Sequence, residues 1–387
     1  MSQASKKVAI WGATGSIGTS ALEVIKGSER RLELAAISAH HRLSELVAIA
    51  KEFRPRWVVA TDPVAAREFR WRGLPPQTEL LIGPEGLTEL SGNDQIDVVL
   101  AAIVGSAGLA STWAAVERGK RVALANKETM VMAGPLVRQL AQQTGATILP
   151  VDSEHSAIFQ ALGCGSPEEV ERVILTASGG PFRTYTNDQL RQVTVDEALA
   201  HPTWEMGPKI TVDSATMMTK ALEVVEARWL FDLPAEQIGV MIHPQSIIHS
   251  IVEFRDGSSL AQMSPPDMRL PIQYALEYPR RFPGVARRMD WTQQQTLELI
   301  PPDLDRFPAL RLGFEAAAAG GSAGVVLNAA NEAAVSLFLA GELHFTEIVP
   351  AAASVLGAHH YKTSPTLEEL QQLDEWARRE VENWVCA

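Results

Sequence analysis

The run Val8-Ala9-Ile10-Trp11-Gly12-Ala13-Thr14-Gly15-Ser16-Ile17-Gly18 decides the fold. Four apolar residues read as a buried strand, three glycines as a tight turn, and Thr19 to Lys26 as a helix. A strand, a glycine-rich turn and a helix in that order bring backbone N–H groups and a helix N-terminus to a pyrophosphate. The spacing is G-x-x-G-x-x-G rather than the commoner G-x-G-x-x-G, so the context of the motif matters.

That context lies downstream. Apolar strand candidates recur at Leu32–Ser38, Trp57–Thr61, Asp97–Ile103, Arg121–Ala125 and Thr147–Val151, with helical stretches between them. The alternation predicts an α/β fold, with a doubly wound, Rossmann-like parallel sheet over residues 1–151. From Glu171 the texture changes to short strands, loops and helices, which predicts a central α+β catalytic domain over 152–278. Residues 279–304, rich in Arg, Pro and Gln, read as a linker or extended arm. Four amphipathic runs then predict a C-terminal helical bundle over 305–387.

Composition narrows the function classes. The 387 residues carry 34 Lys and Arg against 46 Asp and Glu, a formal net charge of −12. Such a balance argues against nucleic acid or an anionic membrane as partner, and leaves room for a local basic pocket. Two cysteines imply no disulfide framework and no cysteine-rich zinc site, which fits a reducing, cytoplasmic compartment. The polar start from Met1 to Lys7 leads straight into a strand, and no signal peptide is expected.

Candidate chemistry gathers beyond the carboxyl ends of the expected strands, where open parallel sheets hold their ligands. The second strand ends in His40-His41-Arg42, with no acid for a ribose 2′-hydroxyl. A basic cluster there favours the 2′-phosphate of NADPH. Lys127 follows the strand Arg121–Ala125, and Asp152-Ser153-Glu154 follows the strand that ends at Val151. Two carboxylates on one turn supply hard oxygen ligands of the kind Mg²⁺ or Mn²⁺ takes. Ser178-Gly179-Gly180 lets backbone approach an anion, and residues 201–208, His201 to Pro208 with Trp204 and Met206, read as a flap. A helix is expected from Ala215 to about Phe231, with Ser214 at its positive N-terminus, Thr219 and Lys220 one turn on, and Glu223 a turn further. Phosphate at its start and a metal at Glu223 make a coherent arrangement. Solvated helix faces and a simple Lys220–Glu223 ion pair are the plainer reading of the same residues.

Taken together, Gly12–Gly18, Ala125-Asn-Lys-Glu128, Val151-Asp-Ser-Glu-His155, Ser178-Gly-Gly-Pro-Phe182, Asp213-Ser-Ala-Thr-Met-Met218, His243-Pro-Gln-Ser246 and Leu327-Asn-Ala-Ala-Asn-Glu332 resemble the 1-deoxy-D-xylulose 5-phosphate reductoisomerase family. The resemblance runs in order along essentially the whole chain. It implies conversion of 1-deoxy-D-xylulose 5-phosphate, a small phosphorylated sugar, to 2-C-methyl-D-erythritol 4-phosphate in non-mevalonate isoprenoid biosynthesis. It further implies NADPH, a divalent ion (Mg²⁺ or Mn²⁺) and a homodimer. It assigns the metal to Asp152, Glu154 and Glu223, and the substrate to Lys127, Ser153, Glu154, Ser178, His201, Ser214, Thr219, Lys220 and Glu223. The cofactor would fall on Thr14, Gly15, Ser16, Ile17, His40, His41, Arg42, Asn126, Glu128 and Gly207. Lys127, Asp152, Glu154, Glu223 and His201 are the implied catalytic set.

The chain departs from the family pattern at Thr219, where Asn is usual, at Glu205 in the flap, and at Ala177, where Gly is usual. Two other readings stay open: an NADPH oxidoreductase of semialdehyde or homoserine dehydrogenase type, and a divergent relative that binds NADPH or a phosphorylated ligand with altered or lost turnover.

Overall fold

The computed structural model describes residues 5–204 and 206–386, so Glu205 lies outside the described residues. The chain forms two compact units. The first comprises the described residues up to Asn126, then Val137–Ser156 and Asp267–Arg287. The second comprises Lys127–Leu136, Ala157–Pro266 and the described residues from Arg288 onward.

In chain order the elements begin with β1 (Lys6–Trp11), α1 (Ser16–Gly27), β2 (Leu32–Ala39), α2 (Leu43–Phe53), β3 (Trp57–Ala60), α3 (Pro63–Glu68), β4 (Glu79–Ile82) and α4 (Glu85–Ser91). There follow β5 (Val98–Ala101), α5 (Leu109–Glu117), β6 (Arg121–Leu124), α6 (Lys127–Thr144), β7 (Thr147–Pro150) and α7 (Ser153–Leu162). Seven strands form one parallel sheet in the order β4-β3-β2-β1-β5-β6-β7. The order reverses between β1 and β5, so the ligand crevice of such a sheet opens beside the turn after β1. Central strands are apolar end to end because helices cover both faces: β3 and β5 are buried at every residue. Trp11, fully buried at the end of β1, satisfies its indole N–H on Ser91 Oγ at 2.9 Å. The expected strands are all present. β4 was not anticipated, because this half-exposed edge strand has neither alternation nor a long apolar run.

The second unit continues with β8 (Val170–Ala177), α8 (Asn187–Leu190), α9 (Val195–Ala198), α10 (Pro208–Ala215), α11 (Met218–Leu230), β9 (Ile238–Ile242), β10 (Ile248–Phe254) and β11 (Ser259–Met263). After α12 (Arg269–Glu277) come α13 (Ala309–Ala319), α14 (Ala323–Leu339), α15 (Ile348–Ala358) and α16 (Leu367–Cys386). The four-stranded mixed sheet runs β11-β10-β8-β9, and α11 packs on β8, β9 and α13. α14 is buried on nearly every face, between α10, α11, α13, α15 and α16. The stretch 279–304 is irregular apart from one bridge, Ile242 to Ile300.

One expectation is corrected. The helix expected from Ala215 to Phe231 is two helices, broken at Met217 with φ +65°. Gly207 and Pro208 start α10 early, since proline at the first helical position has its φ preset and needs no N–H partner. Ser214 therefore sits at the C-terminal end of α10 and not at the N-terminus of α11. The compact units group the chain by contact and not by sequence segment: α12 packs on α1 in the first unit. Lys6 Nζ donates to Leu276 O and Tyr278 O at 3.2 and 3.1 Å, and Arg121 to Tyr278 O at 3.0 Å, so cations on β1 and β6 satisfy the last carbonyls of α12.

Candidate active site

In the first unit the turn after β1 is held by its glycines. Gly12 has φ +92°, and a Cβ there would lie 2.7 Å from Ala102 O. A Cβ on Gly18 would lie 2.4 Å from Gly12 O, so α1 packs directly on the turn. Ser38 Oγ accepts from Gly12 N at 2.9 Å, and Ser38 O accepts from Ala13 N at 2.9 Å, which ties the turn to β2. Gly15 caps α1 without a side chain, and no acid occupies the first turn of that helix. Its positive end is therefore not neutralised by the helix's own residues. Thr14 is buried and Ser16 exposed.

The ends of neighbouring strands complete this edge. The rings of His40 and His41 touch at a tilt of 50°, with centroids 4.0 Å apart. His40 Nδ1 is 3.0 Å from Thr61 Oγ1, His41 Nδ1 is 3.2 Å from Asp62 Oδ2, and Arg42 lies 3.6 Å from Glu45. Asp62, which the sequence reading did not single out, caps α3. The amide of Ala65, with that of Val64, holds its carboxyl below the usual range. Its neighbours on β3 gave no local sign that it would face the basic cluster. Asn126 is buried and donates to Ile103 O at 2.6 Å and Gly105 O at 2.9 Å, which leaves its position fully determined. At the end of β7, Glu154 N donates to Asp152 Oδ1 at 3.3 Å and Ser153 Oγ donates to Glu154 Oε2 at 2.5 Å. His155, fully buried, sets Nδ1 3.7 Å from Asp152 Oδ1.

In the second unit three expected residues converge. Lys127 Nζ, from the start of α6, lies 2.8 Å from Glu223 Oε1, and Lys220 Nζ donates to Glu223 Oε2. Glu223 is 2% and Lys220 4% exposed, so this charge cluster is held inside the protein and screened little by solvent. The anticipated Lys220–Glu223 pair exists, and Lys127 joins it from 96 residues away in sequence.

A second group forms around the flap. His201 Nδ1 accepts from Thr203 N at 3.1 Å and Trp204 N at 2.9 Å. Two amide donors on Nδ1 place the imidazole proton on Nε2, which then donates to Ser178 Oγ at 3.2 Å. Burial pushes the imidazole below its ordinary pKa, so His201 is neutral at pH 7. Gly179 and Gly180 have φ +83° and +67°, and a Cβ on Gly180 would lie 2.6 Å from Ser214 O. That close approach brings the serines of two motifs 36 residues apart to one place. Thr219 Oγ1 donates to Ile210 O at 3.4 Å. Gly207 begins α10 with ordinary extended backbone and open space around it. Glu128 is buried and paired with Lys209 at 3.0 Å.

A doubly wound sheet with a glycine turn at its switch point, and a second unit gathering lysines, a carboxylate and serines, define a dinucleotide-binding enzyme of the oxidoreductase class. Sequence profiles of 1-deoxy-D-xylulose 5-phosphate reductoisomerase match residues 8–134, and profiles of its C-terminal domains match 148–231 and 263–380. The chain belongs to the 1-deoxy-D-xylulose 5-phosphate reductoisomerase family. The reductoisomerase of Rhodopirellula baltica is 50% identical over 96% of this chain and 93% of its own length, and that of Chlorobaculum tepidum is 50% identical over 96% and 98%. Among solved structures, a DOX-P reductoisomerase in complex with NADPH, fosmidomycin and magnesium superposes with a TM-score of 0.92 at 40% identity, covering 98% of each chain. The Zymomonas mobilis enzyme in complex with NADPH gives 0.91 at 40% identity, covering 98% of this chain and 99% of that one.

Proposed function

We propose that the residues anticipated from the sequence carry out the family's reaction in this chain. The activity is that of an NADPH-dependent oxidoreductase: rearrangement and reduction of 1-deoxy-D-xylulose 5-phosphate to 2-C-methyl-D-erythritol 4-phosphate with a divalent ion. The observation that carries the residue assignment is the convergence of Lys127 and Lys220 on Glu223 inside the second unit. Two ammoniums on one buried carboxylate hold its oxygens in place beside the lysines that the substrate would meet.

The donor set Asp152, Glu154 and Glu223 is all carboxylate, which suits Mg²⁺ or Mn²⁺ and not a softer ion. The turn at Gly12–Gly18 suits a dinucleotide, since its glycines let the turn, Ala102 and α1 pack closely and so set the helix N-terminus where a pyrophosphate would lie. When bound, the ion supplies Lewis acidity at the substrate oxygens and NADPH supplies the hydride. The chain's own groups bind and orient. Thr14, Gly15, Ser16 and Ile17 present the positive end of α1, and His40, His41 and Arg42 take the 2′-phosphate. Asn126, Glu128 and Gly207 flank the rest of the cofactor.

Lys127 steadies charge on substrate oxygen. Ser178, Ser214, Thr219 and Lys220 hold the phosphate, and Ser153 holds the sugar's polar backbone. His201 is a neutral donor through Nε2 and shapes the flap through Nδ1, so Trp204 and Met206 close over the substrate and exclude water. The four segments 1–151, 152–278, 279–304 and 305–387 then divide cofactor binding, catalysis, connection and support.

The same reading includes a homodimer in a reducing, cytoplasmic setting. β11 is an edge strand, and Leu260, Trp291, Leu297, Leu299 and Ile300 are exposed on it and on the extended arm. Cys164 and Cys386 are free thiols, as a reducing compartment allows. Among the described residues no helix is long and apolar enough to cross a membrane. A monomer in sedimentation velocity would refute the dimer. The activity is tested by NADPH oxidation with 1-deoxy-D-xylulose 5-phosphate and Mg²⁺ or Mn²⁺, then with chelator. Turnover that needs metal and prefers NADPH over NADH is expected. NADPH binding without turnover would sink the catalytic assignment.

A further inference from the structure

Behind the catalytic lysine lies a second charged cluster, spread over four helices of the second unit. Lys209 Nζ is 3.0 Å from Glu128 Oε1, 2.9 Å from Asp213 Oδ2 and 3.9 Å from Glu332 Oε1. Asn331 Nδ2 donates to Asp213 Oδ1 at 2.7 Å. Arg378 Nη2 donates to Glu332 Oε2 at 2.6 Å, and its Nε donates to Asp374 Oδ2 at 2.8 Å. The members come from α6, α10, α14 and α16. Their burial is deep: the Lys209 side chain is 18% exposed, and those of Glu128, Asp213 and Glu332 are 5%, 3% and 12%.

Placement gives this cluster its meaning. Glu128 adjoins Lys127 in the first turn of α6, and Lys209 lies in the first turn of α10, one residue beyond the flap 201–208. We propose that Lys209 is a positioning residue for the reaction: its buried ammonium fixes the start of α6, with Lys127, against the hinge end of the flap. The C-terminal helices α14 and α16 hold that ammonium in place through Glu332 and Arg378. The inference rests on assigning Lys127 and the flap to the active site.

Charge supports the geometry. Burial opposes a charged Lys209, but Asp213, Glu128 and Glu332 outweigh it and raise the ammonium well above the ordinary lysine range. Burial likewise works against ionised Glu128, yet Lys209 holds its carboxyl below the usual value. Glu332 goes the other way, pushed up by burial in spite of Lys209 and Arg378. Lys209 thus bridges Glu128 of α6 and Asp213 of α10, with Glu332 shared between it and Arg378, and its removal frees the two helix starts to separate.

The test compares purified Lys209→Met, Arg378→Met and the natural chain, with thermal unfolding and NADPH binding recorded beside steady-state kinetics. A misplacement of about 1 Å can cost on the order of 100-fold in rate, and a loss of that order in kcat is expected for Lys209→Met. Arg378→Met should lose less in the same direction, with KM for the sugar phosphate little changed. If the loss in activity only tracks the loss of folded protein, and the folded fraction turns over at the natural kcat, Lys209 is structural and the proposal falls. Should Lys209→Met fail to fold, Arg378→Met decides by the same criterion. Unchanged kcat in Lys127→Ala would remove the site assignment beneath the proposal, which separates that failure from failure of the relay itself.

Discussion

Two glycine turns follow buried strands in this molecule, and they are used differently. After β1, Gly12 at φ +92° leads into α1, so the groups presented are backbone amides of one continuous helix. After β8, Gly179 and Gly180 at φ +83° and +67° lead into irregular chain, and the close approach is to Ser214 O at the end of α10. The groups gathered there are the Ser178 hydroxyl, the His201 ring and the backbone at Ser214. The first turn draws the groups it presents from eleven consecutive residues, though Ser38 and Ala102 hold it, whereas the other gathers its groups from across its unit. The first suits a cofactor recognised by its backbone-like pyrophosphate. The second suits a substrate that must be held only when a flap is in place.

Substitution at the two turns breaks the comparison most severely. Gly12→Ala adds left-handed strain of ~1–2 kcal/mol before its Cβ meets Ala102 O. Relief of that contact must move the turn, so a fall in NADPH affinity of about tenfold or more is expected, measured by fluorescence titration. Gly180→Ala should instead raise KM for the sugar phosphate and leave NADPH affinity near its natural value, because the clash lies with Ser214 O. Equal loss of both ligands in either variant would mean that the turns do not divide the work.

A smaller effect should come from pH. Folding lowers the pKa of His201, so the unfolded chain binds that proton more readily. Its contribution is whole above the ordinary imidazole value of 6.5 and is lost as pH falls below it. Protonation of Nδ1 releases the amides of Thr203 and Trp204 and loosens the flap. The ratio kcat/KM for the sugar phosphate should therefore fall on the acid side of 6.5, with NADPH affinity unaffected. A flat profile down to pH 5, or the same profile in His201→Asn, would contradict this role.

Much of the fold around the candidate site was legible because its signals are local. Strand, glycine and helix follow one another at Val8–Lys26, and Asp152 and Glu154 stand on one turn after a strand. What was misread was also local: a helix was expected only from Ala215, yet Gly207-Pro208 starts one at Pro208 and tertiary packing keeps it. Lys209 and Asp213, four residues apart, were a helical ion pair visible in principle once that helix is granted. Glu332 and Arg378 gave no such sign, since an acid or arginine on an otherwise ordinary helix reads as solvated surface, and Asp62 reads as no more than the cap of α3.

The sequence by itself determined the doubly wound sheet, the glycine turn at its switch point and the types of residue at the candidate site. Those rest on periodicity and short-range stereochemistry, which act between neighbours in the chain. Only the tertiary structure decided which charges share a buried space, Lys127 with Lys220 on Glu223 and Lys209 among Glu128, Asp213 and Glu332, and that His201 meets Ser178. Coulombic pairing depends on distance and on exclusion of water, and neither is set until helices far apart in sequence have packed.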